Sequence, residues 1–362
     1  MLPDVRDRSQ PLLPAKAAPG KASGTACVLL SSPDALRTRG WRILLALLTV
    51  NAFVMALLLV LTKSYPSLMS SGLLAFSFGL RHSVDADHIA AIDNVTRRLV
   101  ASGKQPQLIG LFFSLGHSSV VMIICIATVC GAEYLQNSGL FEGVGALVST
   151  AVSASVLLLI GVANLLSLAS GHDEGEGHEH SDSSFVERCC PQLLRSINSP
   201  AQMVGLGFLF GLGFETSSEV ALLALAAMSP SNGIPAPCTL LLPLLFAGGM
   251  SLIDTLDGLV MSWAYSYAAR TGGRATFNVV LTAASSVIAI AIGLVEILGI
   301  VQRQYDLEGP VWSQVETIND NFEYVGYAII AFFLVSLLAG AILWTCPLRG
   351  CHEVTSSSSC AV

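Results

Sequence analysis

Two histidines and two aspartates lie within seven residues of the sequence, His82-Ser83-Val84-Asp85-Ala86-Asp87-His88. Imidazole nitrogens and carboxylate oxygens are ligands that suit borderline divalent metal ions. The heptapeptide ends an apolar stretch long enough to enter a membrane, where each charged side chain costs roughly 2.5–3.5 kcal/mol at a helix centre. We therefore expect all four side chains to bind a metal ion. The alternative, a polar helix end that reaches the aqueous phase, explains Asp93 but not two histidines flanking two aspartates.

Helical spacing restricts how these side chains can share one ion. On a straight helix His82 and His88 lie about 120° apart around the axis and roughly 9 Å apart along it. Because metal–nitrogen bonds are about 2 Å long, such a helix hardly brings both imidazoles to one ion. Two interpretations remain open: the helix is bent or unwound here, or the two histidines serve successive positions on a path. Asp87 points away from His82 on such a helix, where it orients a ligand or pairs with Arg81.

Polar clusters interrupt three further apolar segments. One contains His117, one contains Glu215 and Glu219, and one contains Asp254 and Asp257. Each acidic pair is spaced to share one helix face. We expect His117 to complete the metal site and the four carboxylates to support it. The structural alternative is an interhelical hydrogen bond for the histidine, and buried carboxylates that bond Ser, Thr or Arg of a neighbouring helix.

The elements that must position these residues are membrane helices. The 362 residues are 53% hydrophobic and only 12% charged, with a mean hydropathy of +0.67. A soluble protein carries about 25% charged residues. Repeated apolar stretches of roughly 20 residues predict an all-α integral membrane protein. We expect eight transmembrane helices, at about 41–62, 68–94, 107–131, 144–170, 202–228, 238–268, 276–301 and 323–345.

The basic residues predict the orientation of these helices. With a cytoplasmic N-terminus, eight spans place fifteen of the 18 Lys and Arg residues on the cytoplasmic side. Lys63 and Arg303 fall on the opposite side, and Arg81 lies within a span. Cytoplasmic loops carry such an excess of basic residues. We therefore expect both the N- and the C-terminus to be cytoplasmic.

The eight-helix domain at 41–345 is expected to carry a tail at each end. Residues 1–40 are rich in Pro, Gly, Ser and basic residues without helical periodicity, which is typical of a disordered segment. Residues 346–362 form a short Ser-rich tail. Both tails are expected in the cytoplasm.

A loop rich in histidine and acidic residues occupies positions 171–199 of the domain. Its first part contains three imidazoles, of His172, His178 and His180, among four carboxylates. We expect these histidines to form an accessory metal site on the cytoplasmic side. The alternative is a solvated acidic linker that happens to contain histidines.

A short internal resemblance predicts an inverted repeat. Residues 76–80 in the second span match residues 208–212 in the fifth, and residues 113–118 parallel residues 246–251 in the spans that follow. The two offsets, 132 and 133, are nearly equal, and the second and fifth spans run in opposite directions. Inverted-topology repeats place a substrate site at their interface near the middle of the membrane. The alternative is chance, because Phe and Gly are common in membrane helices.

Four motifs together resemble the nickel/cobalt transporter family, the NiCoT permeases. His82, Asp87 and His88 match the family pattern His-x4-Asp-His. Three further stretches resemble Leu-Gly-His-Ser-Thr-Val-Val, Leu-Gly-Phe-Asp-Thr-Ala-Thr-Glu and Gly-Met-Ser-Leu-x-Asp-Thr-x-Asp-Gly, at residues 115–121, 212–219 and 246–258. Glu215 stands where the family has Asp, and Ser217-Ser218 stands where it has Ala-Thr.

This resemblance covers about 50–345 and implies an eight-helix, high-affinity permease that takes up Ni²⁺ or Co²⁺. It implies that His82, Asp85, Asp87 and His88 are essential. Asn51 lies where the family carries a His or Asn linked to ion preference, so it is a candidate selectivity residue.

The expected partners are nickel or cobalt ions and the lipid bilayer, and the expected location is the plasma membrane. We expect no nucleic acid, no cofactor and no required protein partner, since the metal ion is the transported substrate. Two alternatives are an exporter of related architecture and an intramembrane metalloenzyme. An intramembrane metalloenzyme would be expected to contain a His-Glu-x-x-His motif, and the sequence lacks one.

Overall fold

The computed structural model describes residues 33–130, 146–169, 199–212, 216–270 and 275–345. These residues form helices and connecting turns, as an all-α chain requires. The helices are α1 (Pro33–Thr62), α2 (Ser67–His82), α3 (Ala86–Ala101), α4 (Ile109–Val129), α5 (Ala146–Ala169), α6 (Met203–Phe210), α7 (Ser217–Met228), α8 (Leu241–Arg270), α9 (Ala275–Tyr305), α10 (Pro310–Asp320) and α11 (Phe322–Thr345). A short helix, Ala236–Thr239, precedes α8.

Five segments of these helices are long and apolar enough to cross a membrane. They correspond to the predicted first, third, fourth, sixth and seventh spans. Their bounds are Arg37–Thr62, Ile109–Val129, Leu147–Leu166, Ala236–Ser266 and Val279–Tyr305. The prediction of an all-helical membrane protein is confirmed. Helix α1 begins at Pro33, so residues 33–40 are helical and do not belong to a disordered tail as predicted.

The predicted second and fifth spans are not single helices, so their expected ranges of 68–94 and 202–228 are wrong as continuous elements. Helix α2 ends at His82 and α3 begins at Ala86. The interpretation of an unwound helix between the two histidines is therefore correct. Helix α6 ends at Phe210 and α7 begins at Ser217. We refer to these two interruptions as the first break and the second break.

Close glycine contacts join the broken helices to two unbroken ones. A methyl group on Gly79 of α2 would overlap the Phe246 carbonyl of α8, and one on Gly249 of α8 would overlap α2. Likewise, a methyl group on Gly207 of α6 would overlap the Phe113 carbonyl of α4. Small residues permit such backbone-to-backbone packing between membrane helices. The pairs α2–α8 and α6–α4 are therefore packed in the same way.

Two buried apolar clusters fill the bundle on either side of its centre. The Phe246 cluster joins the end of α1 to α2, the second half of α4, α7 and the first half of α8, and its members include Leu58, Leu68, Val121, Leu222, Leu242 and Phe246. The Phe113 cluster joins α3 and the start of α4 to α5, α6, the second half of α8, α9 and α11, and its members include Ile89, Phe113, Leu157, Phe210, Tyr265, Ile292 and Phe333. The polar residues of the two breaks lie between these clusters.

Helix α11 packs against the first break. Arg81, at the end of α2, forms an ion pair with Glu323 at the start of α11. A methyl group on Gly326 of α11 would overlap the Val84 carbonyl inside the break. Arg81 therefore pairs with the last helix, whereas the sequence suggested Asp87 as its partner. These contacts fix the unwound backbone from outside.

Candidate metal site

Three ligand atoms from three different helices converge at the centre of the bundle. Nε2 of His82 lies 2.9 Å from Nε2 of His117, which lies 3.0 Å from Oε1 of Glu219. Nε2 of His82 lies 3.7 Å from the same Glu219 oxygen. Ligand atoms that each stand about 2.1 Å from one ion are themselves roughly 3.0–3.5 Å apart. We call these three residues the central triad, and its spacing fits one divalent ion.

His88 joins the triad from the far side of the first break. One ring nitrogen each of His82, His88 and His117 lies within 4.8 Å of the others. Unwinding the helix brings the two histidines of the heptapeptide together, with ring centroids 4.7 Å apart. A straight helix would have kept them about 9 Å apart along its axis.

The polar groups around His82 set the direction of its ring. Its Nδ1 lies 3.0 Å from Oδ2 of Asp85 and 3.2 Å from the Thr216 hydroxyl. A carboxylate that accepts the Nδ1–H proton fixes the tautomer in which Nε2 carries a lone pair. Asp85 therefore aims Nε2 of His82 at the triad. Asp85 stands at the N-cap of α3, yet its side chain does not cap that helix.

Two helix N-termini point into the site, which opposes the binding of a cation. Unpaired N–H groups give a helix start a partial positive charge. Asp85 and Asp87 stand at the start of α3, and Glu219 lies in the first turn of α7. These carboxylates offset the charge of the helix ends and leave the site favourable to a divalent cation.

Asp254 of α8 approaches the site from the sixth predicted span. Its Oδ2 accepts a 2.6 Å hydrogen bond from Ser114 of α4, and its Oδ1 lies 3.6 Å from Nδ1 of His88. Both carboxylate and imidazole are almost fully buried, at 0% and 1% exposed. Asp254 thus belongs to the same polar centre as the triad.

The site is enclosed by the two apolar clusters. The ring of His82 lies 5.5 Å from that of Phe246, and the ring of His88 lies 4.9 Å from that of Phe113. The triad residues are each no more than 2% exposed. The described structure therefore closes the polar centre to both sides of the bundle.

Other predicted site residues lie apart from the triad or outside the described residues. Asn51 donates to the Leu47 carbonyl and its side chain lies against Gly248 of α8. Asp87 and Asp257 are both partly exposed, and neither forms a hydrogen bond or ion pair with His82 or His117 in the described structure. The residues outside the described part of the chain are Glu215, His172, His178 and His180.

Three residues beside the site were not singled out from the sequence. They are Thr216, which contacts His82 and Glu219, Ser114, which bonds Asp254, and Glu323, which pairs with Arg81. Thr216-Ser217-Ser218-Glu219 is a Ser/Thr-x-x-Glu pattern, typical of a helix start, and it could have located the second break. No comparable local signal marks Ser114 or Glu323.

Comparison with known proteins agrees with this geometry. The family model described as high-affinity nickel-transport protein matches residues 68–343. The nickel transporter NixA of Staphylococcus aureus is 39% identical over 296 residues, which cover 78% of this chain and 87% of that protein. The hydrogenase nickel incorporation protein HupN of Bradyrhizobium diazoefficiens is 37% identical over 318 residues, 84% of each chain. The cobalt transport protein NhlF of Rhodococcus rhodochrous is 36% identical over 298 residues, 76% of this chain and 83% of that protein.

No solved structure matches the chain. The family description and the names of several relatives state nickel transport, which removes the metalloenzyme alternative. The family match covers the central triad, both breaks and every member of the two apolar clusters except Leu58. The chain is therefore a multi-pass membrane protein that belongs to the high-affinity nickel-transport protein family.

Proposed function

We propose that this protein takes up Ni²⁺ or Co²⁺ across the plasma membrane by secondary transport, with the ion bound at the central triad. The observation that carries the proposal is the convergence of His82 Nε2, His117 Nε2 and Glu219 Oε1 within 3.7 Å of one another. His88 completes the nitrogen donors, and Asp85 orients His82. Imidazole and carboxylate donors without thiolates suit Ni²⁺ and Co²⁺ better than Cu⁺.

We infer that the chain crosses the membrane eight times, with both termini in the cytoplasm. Arg39 near the start of α1 donates to Gln105 in the α3–α4 connection, so these two basic regions lie at one end of the bundle. The positive-inside rule assigns that end to the cytoplasm. In this arrangement each broken pair, α2–α3 and α6–α7, makes one crossing.

The glycine contacts support an inverted repeat in which α2 corresponds to α6 and α4 to α8. Gly79 meets Phe246 of α8 as Gly207 meets Phe113 of α4. This correspondence pairs Gly79 with Gly207, one helical turn away from the pairing with Gly211 that the sequence match suggests. Its pseudo-two-fold axis passes between the two breaks, where inverted repeats place their substrate.

Transport then requires one apolar cluster to open while the other stays closed. The ion reaches the triad when the Phe246 cluster opens and leaves it when the Phe113 cluster opens. An inside-negative membrane potential favours entry of a divalent cation by about 4.6 kcal/mol per 100 mV. The sequence contains no nucleotide-binding loop, so the potential, with or without a coupled proton, is the proposed driving force. The loop histidines His172, His178 and His180 remain candidates for an accessory site on the cytoplasmic side.

Uptake of radiolabelled nickel at nanomolar concentration tests the proposal. We expect cells that express the protein to accumulate nickel, and His82→Ala or His117→Ala to abolish the accumulation. Ser119→Ala is a matched control on α4, because the Ser119 hydroxyl bonds its own helix at Gly116. Competition by excess cobalt ranks the two ions. Accumulation below that of cells without the protein would indicate export, and full activity of both histidine variants would contradict the proposed site.

A further inference from the structure

A second pair of possible ligand atoms faces each other beside the central triad. Nδ1 of His88 and Oδ1 of Asp254 lie 3.6 Å apart, which is too long for a hydrogen bond. Within the described part of the chain, neither atom has a hydrogen-bond partner, although both are buried. Buried polar atoms are nearly always paired, and each unpaired atom carries a free-energy cost. Two such atoms aimed at one another indicate that a group belongs between them.

The separation of these atoms fits a metal ion. Two ligands that each stand about 2.1 Å from an ion are roughly 3.0–3.5 Å apart, depending on the coordination angle. The 3.6 Å gap needs only a small side-chain adjustment to meet this range. The donor pair, one imidazole nitrogen and one carboxylate oxygen, is the same kind as in the triad.

The Asp254 carboxylate is held in a fixed orientation that leaves one oxygen free. Ser114 donates to Oδ2 at 2.6 Å, so Oδ1 is the atom turned toward His88. One turn further along α8, Oδ2 of Asp257 is also buried without a hydrogen-bond partner among the described residues. Asp254 and Asp257 share a helix face, so the second carboxylate extends the path in the direction of the Phe113 cluster.

The next carboxylate on that side differs from these two. Both oxygens of Asp93 accept hydrogen bonds, from the hydroxyls of Tyr265 and Ser285. Each oxygen of Asp93 therefore already has a hydroxyl partner. On α8, by contrast, one oxygen each of Asp254 and Asp257 is buried without a hydrogen-bond partner among the described residues.

We propose that His88 Nδ1, Asp254 Oδ1 and Asp257 Oδ2 form a second position for the transported divalent cation, adjacent to the central triad and on the cytoplasmic side of it. His88 lies between the two positions and passes the ion from one to the other. The proposal rests on the proposed function, since it concerns the same ion. In this scheme the triad determines how tightly the ion is held, and the second position determines how fast it leaves.

Equilibrium binding and transport rate separate these two roles. The experiment uses purified full-length protein, with ⁶³Ni²⁺ binding measured in detergent and ⁶³Ni²⁺ uptake measured in proteoliposomes under an inside-negative potential. We expect Asp254→Asn to keep the dissociation constant within about threefold of the wild type while the uptake rate falls more than about tenfold. Glu219→Gln, the matched carboxylate change in the triad, should lose equilibrium binding itself.

Ser114→Ala provides a second variant that keeps both ligands. It should leave the dissociation constant unchanged and lower the uptake rate about two- to fivefold, because the Asp254 carboxylate is then free to turn. If Asp254→Asn does not elute as a folded protein in gel filtration, this variant decides the question.

Two results would overturn the second position. Either Asp254→Asn weakens binding as much as Glu219→Gln, which makes Asp254 a ligand of the triad, or both Asp254→Asn and Ser114→Ala transport at the wild-type rate. Failure of the proposed function gives a different result, because the wild-type protein would then neither bind nor transport nickel or cobalt.

Discussion

The two breaks both interrupt the backbone of a membrane helix, but they place different side chains beside the site. Each interrupts a membrane helix near the centre of the bundle, and each is followed by a helix whose N-terminus faces the site. The residue at the third position of the helix after the break is His88 at the first and Glu219 at the second. Every described histidine of the site belongs to the first half of the chain, whereas Glu219 and Asp254 belong to the second.

The N-caps of the two following helices differ as well. Thr216 caps α7 by accepting from the Glu219 backbone N–H, and its hydroxyl also contacts His82. Asp85 leaves α3 without a side-chain cap and turns to His82 instead. The two breaks therefore combine a similar backbone arrangement with different side chains, a histidine at the third helical position after the first and a carboxylate at that position after the second. The following experiments test that comparison.

The glycine contacts test whether the two halves are equivalent in packing. Gly79→Ala and Gly207→Ala should each destabilise the protein by about 1–3 kcal/mol or more, because the added methyl group overlaps a backbone carbonyl. Uptake should be lost together with the folded protein. Gly205→Ala is the control, since a methyl group there meets nothing within 4 Å. Thermal unfolding in detergent measures the effect, and a large loss for only one of the two variants would contradict the equivalence.

Glu219→Gln tests the oxygen donor of the second half. The substitution keeps the shape of the side chain and removes the negative charge that faces His82 and His117. Nickel affinity should therefore fall more than about 100-fold, which exceeds the 10- to 100-fold loss typical when a residue that only supports a ligand is changed. Equilibrium binding of ⁶³Ni²⁺ measures the loss. Glu219→Asp retains the charge and should recover part of the affinity; equal affinity of Glu219→Gln and wild type would remove Glu219 from the site.

Asp85→Asn tests the N-cap of the first half. The amide no longer fixes the His82 tautomer, so nickel affinity should fall about 10- to 100-fold while the fold is retained. Binding and thermal unfolding are measured on the same sample. A large drop in unfolding temperature with unchanged affinity would mean that Asp85 serves the helix and not the imidazole.

Thr216→Ala tests the N-cap of the second half and should act mainly on stability. Loss of the cap should cost about 1 kcal/mol, with a smaller decrease in affinity than Asp85→Asn. Thr216→Ser keeps the hydroxyl and is the control. Thermal unfolding and nickel binding are compared for the three proteins, and an affinity loss as large as that of Asp85→Asn would show that the two caps have the same role.

Glu323→Gln should have the smallest effect. It removes the ion pair that joins α11 to the first break, and partly exposed pairs contribute up to about 1 kcal/mol. Uptake should fall no more than about fivefold. Glu308→Gln, an exposed acidic residue before α10, is the control. A complete loss of uptake would indicate that the ion pair controls the geometry of the break.

The sequence was a good guide to which histidines lie close together and a poor guide to the helix ends around them. His82, His88 and His117 were identified from their types and spacing, and the structure brings all three together. The continuous second and fifth spans were wrong because hydropathy averages over about 20 residues and does not register interruptions as short as 83–85 or 211–216. The Thr216–Glu219 capping pattern was the local signal that the apolar flanks obscured.

Composition and spacing alone determined that this chain is helical and membrane-embedded, and they led to the prediction that its polar heptapeptide binds a divalent metal ion. These conclusions depend on the chemistry of side chains and on their cost in hydrocarbon, which are properties of the sequence. Only the tertiary structure decided that Glu219 completes the triad, that Asp254 faces His88 and that Asp87 stands apart. Such contacts depend on how separate helices pack, and here glycines far apart in sequence set that packing.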